Sequence, residues 1–374
     1  MNTTSTQESF VTREQKELRP RATDLGLAIG LLPHGEHNTI TDVAGVQVGH
    51  STIITGDGQL RPGEGPIRTG ITMVLPHSSN LYRQKVPAAA HALNGFGKSL
   101  GLLQIMELGR LESPIALTST LNVWTVADSM IDYLSDSNPG VQSFNPVVVE
   151  CNDRFLNDAI GRHVRKEHVL QSLESSSSPN IQEGNVGAGA GMSAFGWKAG
   201  IGTSSRVCES LQGIYTVGVL ALCNMGDPRD LRLDNLQVGK YLMPPGATDE
   251  SGGSVCFVIG TDAPVTARQL DRMARRAPIG LARAGGIVSH GSGSFAVAFS
   301  SSPDRPQIDD AHLTPLFRGI VEATEEAIVN SVLRSETLTG RDGNIRHAIP
   351  VDRIRTMLKV QEEALEGIFK KSSE

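Results

Sequence analysis

The sequence predicts a mixed α/β protein in which helix layers pack on β-sheets. Two observations point there. Buried-type strand runs alternate with helical runs in mixed order along the chain, and neither can bury its apolar face alone. The 374-residue chain is also rich in Gly (40 residues) and poor in Tyr (4) and Trp (2), as tight turns between closely packed layers require. Its length suits one large domain or two ordinary ones.

Taken in order, residues 1–20 are a polar arm with no apolar stretch of the kind a secretory leader needs. Residues 38–55 (NTITDVAGVQVGHSTIIT) are β-branched and broken by Gly, which predicts strand, turn, strand. Residues 67–76 (IRTGITMVLP) predict a buried strand. The stretch 84–111 carries Ala, Leu, Ile and Met at helical spacing and predicts a buried helix, broken near Gly95. Residues 112–134 predict a short strand running into a helix, and 146–150 (PVVVE) a central strand ending on a carboxylate. Residues 153–178 are polar and partly helical, and the serine run 175–178 suggests a mobile surface loop.

Residues 185–207 read as a Gly-rich turn region flanking short strands, and 214–223 (IYTVGVLALC) as an apolar strand stopping at Asn224. The breaker cluster 242–253 (LMPPGATDESGG) leads directly into the buried strand 254–261 (SVCFVIGT). One helix is predicted over 264–284 with Pro264 in its first turn, then a strand at 294–300 and helices near 315–337 and 351–369.

Composition excludes several classes. A net charge of −6 opposes a nucleic-acid surface, which needs clustered cations. No apolar run reaches the roughly 20 residues of a spanning helix. The four cysteines form no CxxC pair and suggest a reducing compartment, so a cytoplasmic location is expected. The His34/His37 pair in HGEH lacks a recognisable third ligand, so no metal is expected. Gly187, Gly189 and Gly191 follow GxGxG rather than a dinucleotide pattern and read as a tight turn. His290 reads as structural, and no GxSxG elbow is present.

The chemically informative feature is the junction ATDESGG–SVCFVIG, in which a Gly-rich loop meets a Ser that opens a buried strand. Alone, Gly-Gly-Ser reads first as an ordinary turn. An N→O acyl shift and hydrolysis at Gly253–Ser254 would instead create an N-terminal Ser. Its α-amine titrates near pH 8, so part of it is neutral at physiological pH and can act as base for the hydroxyl beside it.

Over residues 21–370 the chain resembles the DmpA-type family of L-aminopeptidase/D-Ala-esterase-amidases and β-peptidyl aminopeptidases. The resemblance rests on ITDVAGVQVGHSTI (40–53), IRTGITMVLPH (67–77), ESPIALTSTLNV (112–123), EGNVGAGAGMSAFGWKAGIGTSSR (183–206), GVLALCNMG (218–226), GSVCFVIGTDAPV (253–265) and GLARAGGIVSHGSGSFAVAFS (280–300). It implies a four-layer αββα sandwich, self-cleaved into 1–253 and 254–374, with no cofactor and a homotetramer of processed heterodimers. It implies Ser254 as nucleophile, Ser292 as a second serine hydrogen-bonded to the nucleophile or its amine, the Asn224 amide and Asn152 N–H as oxyanion donors, and Glu150 as the group that binds the substrate's amine. The implied substrates are small peptides or amino-acid amides and esters.

Ser294 departs from the family pattern, standing where a carboxylate usually follows the second serine, and residues 150–152 read Glu-Cys-Asn where an aromatic often takes the third place. Two further classes therefore stay open. One is an acyltransferase of the ornithine acetyltransferase type, whose nucleophile is usually Thr. The other is an unprocessed, inactive homologue.

Overall fold

The computed structural model describes residues 18–179, 181–246, 253–302 and 307–371. The strands are β1 (Gln47–Thr55), β2 (Ile67–Leu75), β3 (Val86–Gly95), β4 (Arg110–Leu111), β5 (Ile115–Ser119), β6 (Val147–Cys151), the short hairpin β7 (Ser193–Ala194) and β8 (Trp197–Lys198), β9 (Ile201–Ser210), β10 (Gly213–Asn224), β11 (Ser254–Thr261) and β12 (Gly293–Ser300). The helices are α1 (Leu102–Leu108), α2 (Val123–Ser137), α3 (Lys166–Glu174), α4 (Ala267–Ala274), α5 (Ala277–Arg283), α6 (Thr314–Leu333) and α7 (Val351–Lys371).

The strands form two main sheets, ordered β1-β2-β5-β6 and β4-β3-β12-β11-β10-β9. Side chains alternate across a strand, so each sheet presents two faces. On the inner faces, Val74, Leu117 and Val149 of the small sheet share a core with Leu220, Leu222, Cys256 and Val258 of the large one. On the outer face of the small sheet, Met73, Ala116 and Val148 pack with Val126 and Met130 of α2 and Val169 of α3. On the outer face of the large sheet, Val219, Ala221, Phe257 and Ile259 pack with Leu270 of α4, Leu281 of α5 and Ile328 of α6. This is the α/β/β/α layering expected. With both faces covered, the central strands read as continuous apolar runs.

In the large sheet, β11 and β12 lie between β3 and β10. Strands β11 and β12 thus form a pair flanked on either side by a strand that precedes residue 254.

Four local expectations are corrected. The predicted helix over 84–111 is instead strand β3 followed by the short helix α1. The Ala-rich run 88–90 has high helix propensity, but antiparallel pairing with β12 overrides it. The predicted helix over 264–284 is two helices, with Pro278 in the first turn of α5. Thr266, not Pro264, starts α4, through a capping box with Gln269. The serine run is pinned, because Ser177 exchanges backbone hydrogen bonds of 3.1 Å with Val48.

Residues 1–17 of the polar arm and 247–252 of the breaker cluster lie outside the described residues. At the arm's end, Arg19 is anchored by donating to the carbonyls of Leu333 at 2.8 Å and Ile349 at 2.5 Å. Among the described residues, no helix is long and apolar enough to cross a membrane.

Candidate active site

The neighbouring strands β6, β10, β11 and β12 bring the predicted residues to one place. Ser254 is the first residue of β11 and is 8% exposed. It lies opposite Asn224, the last residue of β10, in antiparallel register. Its Oγ accepts a hydrogen bond from Gly293 N–H at 3.0 Å. The parallel neighbour β12 places Ser294 beside Val255, and the hydroxyls of Ser292 and Ser294 are hydrogen-bonded to each other.

Gly253 has φ +151°, a backbone region essentially reserved for Gly. A Cβ there would lie 2.1 Å from the Asn224 carbonyl oxygen and 2.7 Å from Met225 Cα. The residue before Ser254 is therefore restricted both by conformation and by space. A small cleft opens beside Gly253, Ser292 and Ser294, walled by Met225, Leu281, Ile287 and Val288, with Asp227 and Asp230 also lining it.

The orientation of the Asn224 amide is set by its partners. Oδ1 accepts from Ser193 N–H at 3.1 Å, and a backbone N–H can only donate. Nδ2 therefore faces the other way and donates to the Asn152 carbonyl at 2.9 Å, leaving one amide hydrogen for another acceptor. Ser193 owes its place to the β7–β8 hairpin, where it pairs with Lys198.

Glu150, near the end of β6, is 2% exposed. Its Oε1 accepts from Lys98 N–H at 3.0 Å. No cation among the described residues forms an ion pair with it. A buried carboxylate met only by a neutral donor calls for a positive partner. Gly97 connects this carboxylate to the nucleophile. A Cβ on Gly97 would lie 3.1 Å from Glu150 Oε1, and a Cβ on Gly293 would lie 2.6 Å from Gly97 Cα.

Several supporting residues escaped the sequence reading. Asp153 follows Asn152 and accepts hydrogen bonds from Thr69 at 2.6 Å, Ser119 at 2.8 Å and Asn157 at 3.0 Å. Burial pushes its carboxyl up to about 6 despite these donors. Asn94 Nδ2 donates to the carbonyls of Ser292 and, at 3.1 Å, His290, which steadies the loop before β12. The available signal was an Asp just past a strand end and an Asn just before a Gly. Neither carries a motif.

Of the other features, only His290 lies beside the site. His34 contacts Glu326 at 3.0 Å, in a buried cluster with Arg206. The GxGxG run forms a 3₁₀ turn over Gly187–Gly189. His290 rests against Phe96, with ring centroids 6.3 Å apart. All four cysteines are free and buried. Burial raises the thiols of Cys208 and Cys223 to about 12, which makes them inert packing groups.

The chain is similar to known proteins over most of its length. The chain is 41% identical over 370 residues to the β-peptidyl aminopeptidase BapA of Sphingosinicella xenopeptidilytica, covering 91% of this chain and 92% of that one. A solved Pyrococcus horikoshii protein is 44% identical with a TM-score of 0.87, covering 91% of this chain and 99% of the other. The L-aminopeptidase D-Ala-esterase/amidase of Ochrobactrum anthropi, described as a variant of the Ntn hydrolase fold, is 34% identical with a TM-score of 0.84, covering 92% and 99%. The family profile for peptidase family S58 matches residues 38–346. With most of its length matched, and with the residues of the Ser254 junction gathered at one end of the two sheets, the chain belongs to peptidase family S58.

Proposed function

We propose that this chain is a self-processing aminopeptidase that uses Ser254 as an N-terminal nucleophile. The observation that carries the reading is the position of Ser254. It begins a central strand, its Oγ is held by Gly293 N–H, and the residue before it sits in a backbone conformation suited to Gly alone.

In the processing step, Ser254 Oγ attacks the Gly253 carbonyl carbon. The peptide nitrogen leaves, takes up a proton and becomes the α-amine of Ser254, and Gly253 is left as an ester. Water hydrolyses the ester, freeing the Gly253 carboxylate and the Ser254 hydroxyl.

In turnover, the neutral α-amine accepts the hydroxyl proton as Oγ attacks the first carbonyl of the substrate. The oxyanion lies between the free Asn224 amide hydrogen and Asn152 N–H, donors each worth roughly 10²–10³ in kcat in comparable sites. The amine returns the proton to the leaving nitrogen, and water then releases the acyl group by the same route. The linked Ser292 and Ser294 hydroxyls, on the strand beside Val255, can supply only neutral hydrogen bonds where the family usually supplies a carboxylate.

Glu150 selects the substrate. Lys98 N–H takes one of its oxygens, and the other receives the substrate's free ammonium. This restricts cleavage to the N-terminal residue. Small L-residues, D-Ala amides or esters, and β-amino acids are the candidate acyl groups, by analogy with the relatives named above.

The test is the intact mass of the purified protein beside Ser254→Ala, with hydrolysis of aminoacyl p-nitroanilides. Two fragments meeting at 253/254 and turnover, both lost in the variant, are expected. A single uncut, inactive species in both proteins overturns the reading.

A further inference from the structure

The site carries a cation that the chemistry above does not use. The segment Phe96–Gly97–Lys98 leaves the end of β3 and passes between Glu150 and Ser292. Phe96 N–H donates to the Ser292 carbonyl at 3.3 Å, and Lys98 N–H donates to Glu150 Oε1 at 3.0 Å. Between them, Gly97 is confined, since an added Cβ would lie 2.4 Å from the Phe295 ring. The backbone is thus tied at one end to the group proposed to hold the substrate's ammonium and at the other to Ser292, the neighbour of the Gly293 whose N–H meets Ser254 Oγ.

The side chains of this segment are less confined. The Phe96 ring is exposed, with the His290 ring 6.3 Å from it and Lys98 Nζ 5.8 Å from its centroid. Lys98 is half-buried and forms no ion pair with a carboxylate among the described residues. An exposed aromatic flanked by two basic side chains suits a small ligand with an apolar body and an anionic end.

The length also suits. The two charged ends of a dipeptide are roughly 5–6 Å apart, about one and a half Cα spacings. A lysine side chain spans a similar distance from its own backbone, which here touches Glu150.

We infer that Phe96, Lys98 and His290 form the subsite for the leaving residue, with Lys98 Nζ binding its free C-terminal carboxylate, so that dipeptides are the preferred substrate class. This rests on the aminopeptidase reading of Ser254 and Glu150. Glu150 would take the ammonium, Ser254 the carbonyl between, and Lys98 the carboxylate.

The experiment compares kcat/KM for a dipeptide and for the same dipeptide as its C-terminal amide. It uses the processed wild type, Lys98→Met and Lys98→Arg, at low and high salt. The wild type is expected to favour the free acid by about tenfold, mainly through KM, with the preference shrinking as salt rises. Lys98→Met brings the ratio to about one, and Lys98→Arg keeps most of it. A wild-type ratio near one at low salt overturns the inference, as does an undiminished ratio in Lys98→Met. If Lys98→Met hydrolyses neither compound, the wild-type ratio against salt and the Arg variant decide. If the wild type cleaves the amide as well as the acid, only this inference falls. If it cleaves neither, the aminopeptidase reading falls and takes this inference with it.

Discussion

Asn224 and Ser254 face each other across the β10–β11 ladder, and Ser193 N–H turns the Asn224 amide so that its nitrogen points toward Asn152. A preorganised donor of this kind stabilises charge that develops only in the transition state. Asn224→Ala is expected to lower kcat by roughly 10²–10³ with little change in KM. Steady-state kinetics on an aminoacyl p-nitroanilide checks this, and a loss under threefold would remove Asn224 from the oxyanion site.

Gly253 is restricted by both φ and space. Gly253→Ala introduces a Cβ against the Asn224 carbonyl and strains the backbone by about 1–3 kcal/mol. Self-cleavage is expected to slow by about 10- to 100-fold, followed as the disappearance of full-length chain by mass. Cleavage at the wild-type rate would show that the junction tolerates a side chain.

Ser292 and Ser294 share a hydrogen bond beside the nucleophile. Ser294→Ala removes a neutral bond worth about 1 kcal/mol, so kcat should fall by about fivefold. The measurement is kcat for processed protein. Unchanged turnover would mean that Ser294 only fills space.

Away from the site, Glu326 of α6 accepts from the wholly buried Arg206 at 2.7 Å and contacts His34 at 3.0 Å. Burial pushes its carboxyl up, but the His34 bond and the Arg206 charge outweigh this and hold it at about 2. Glu326→Gln removes one of the two carboxylates at the buried Arg206 guanidinium, leaving Glu322 3.4 Å from it, and should cost about 2 kcal/mol in urea unfolding at pH 7. The folded pKa lies below the ordinary 4.5, so this contribution is full above pH 4.5 and is lost as pH falls toward 2. The gap between wild type and variant should narrow over that window. A constant gap would mean that Glu326 does not titrate there.

The strand-borne residues of the proposed site are legible in the sequence alone. Residues 147–151, 214–224 and 254–261 are largely apolar runs that carry a polar residue at or near an end, and such runs announce buried strands whatever surrounds them. Ser254, Asn224 and Glu150 could therefore be placed at strand ends, and the long motifs gave their proposed roles. Only the tertiary structure decided what depends on pairing between distant segments. The Ala-rich run 88–90 prefers a helix locally and became a strand because β12 offered it a ladder. Ser193 became the group that orients Asn224 because a two-residue hairpin carried it there. Lys98 came to the site because Gly97 is small enough to pass between Glu150 and Gly293. Periodicity reports how a segment buries itself, whereas hydrogen bonds and charge neighbours depend on which segments meet, and that is settled when the two sheets close on their shared core.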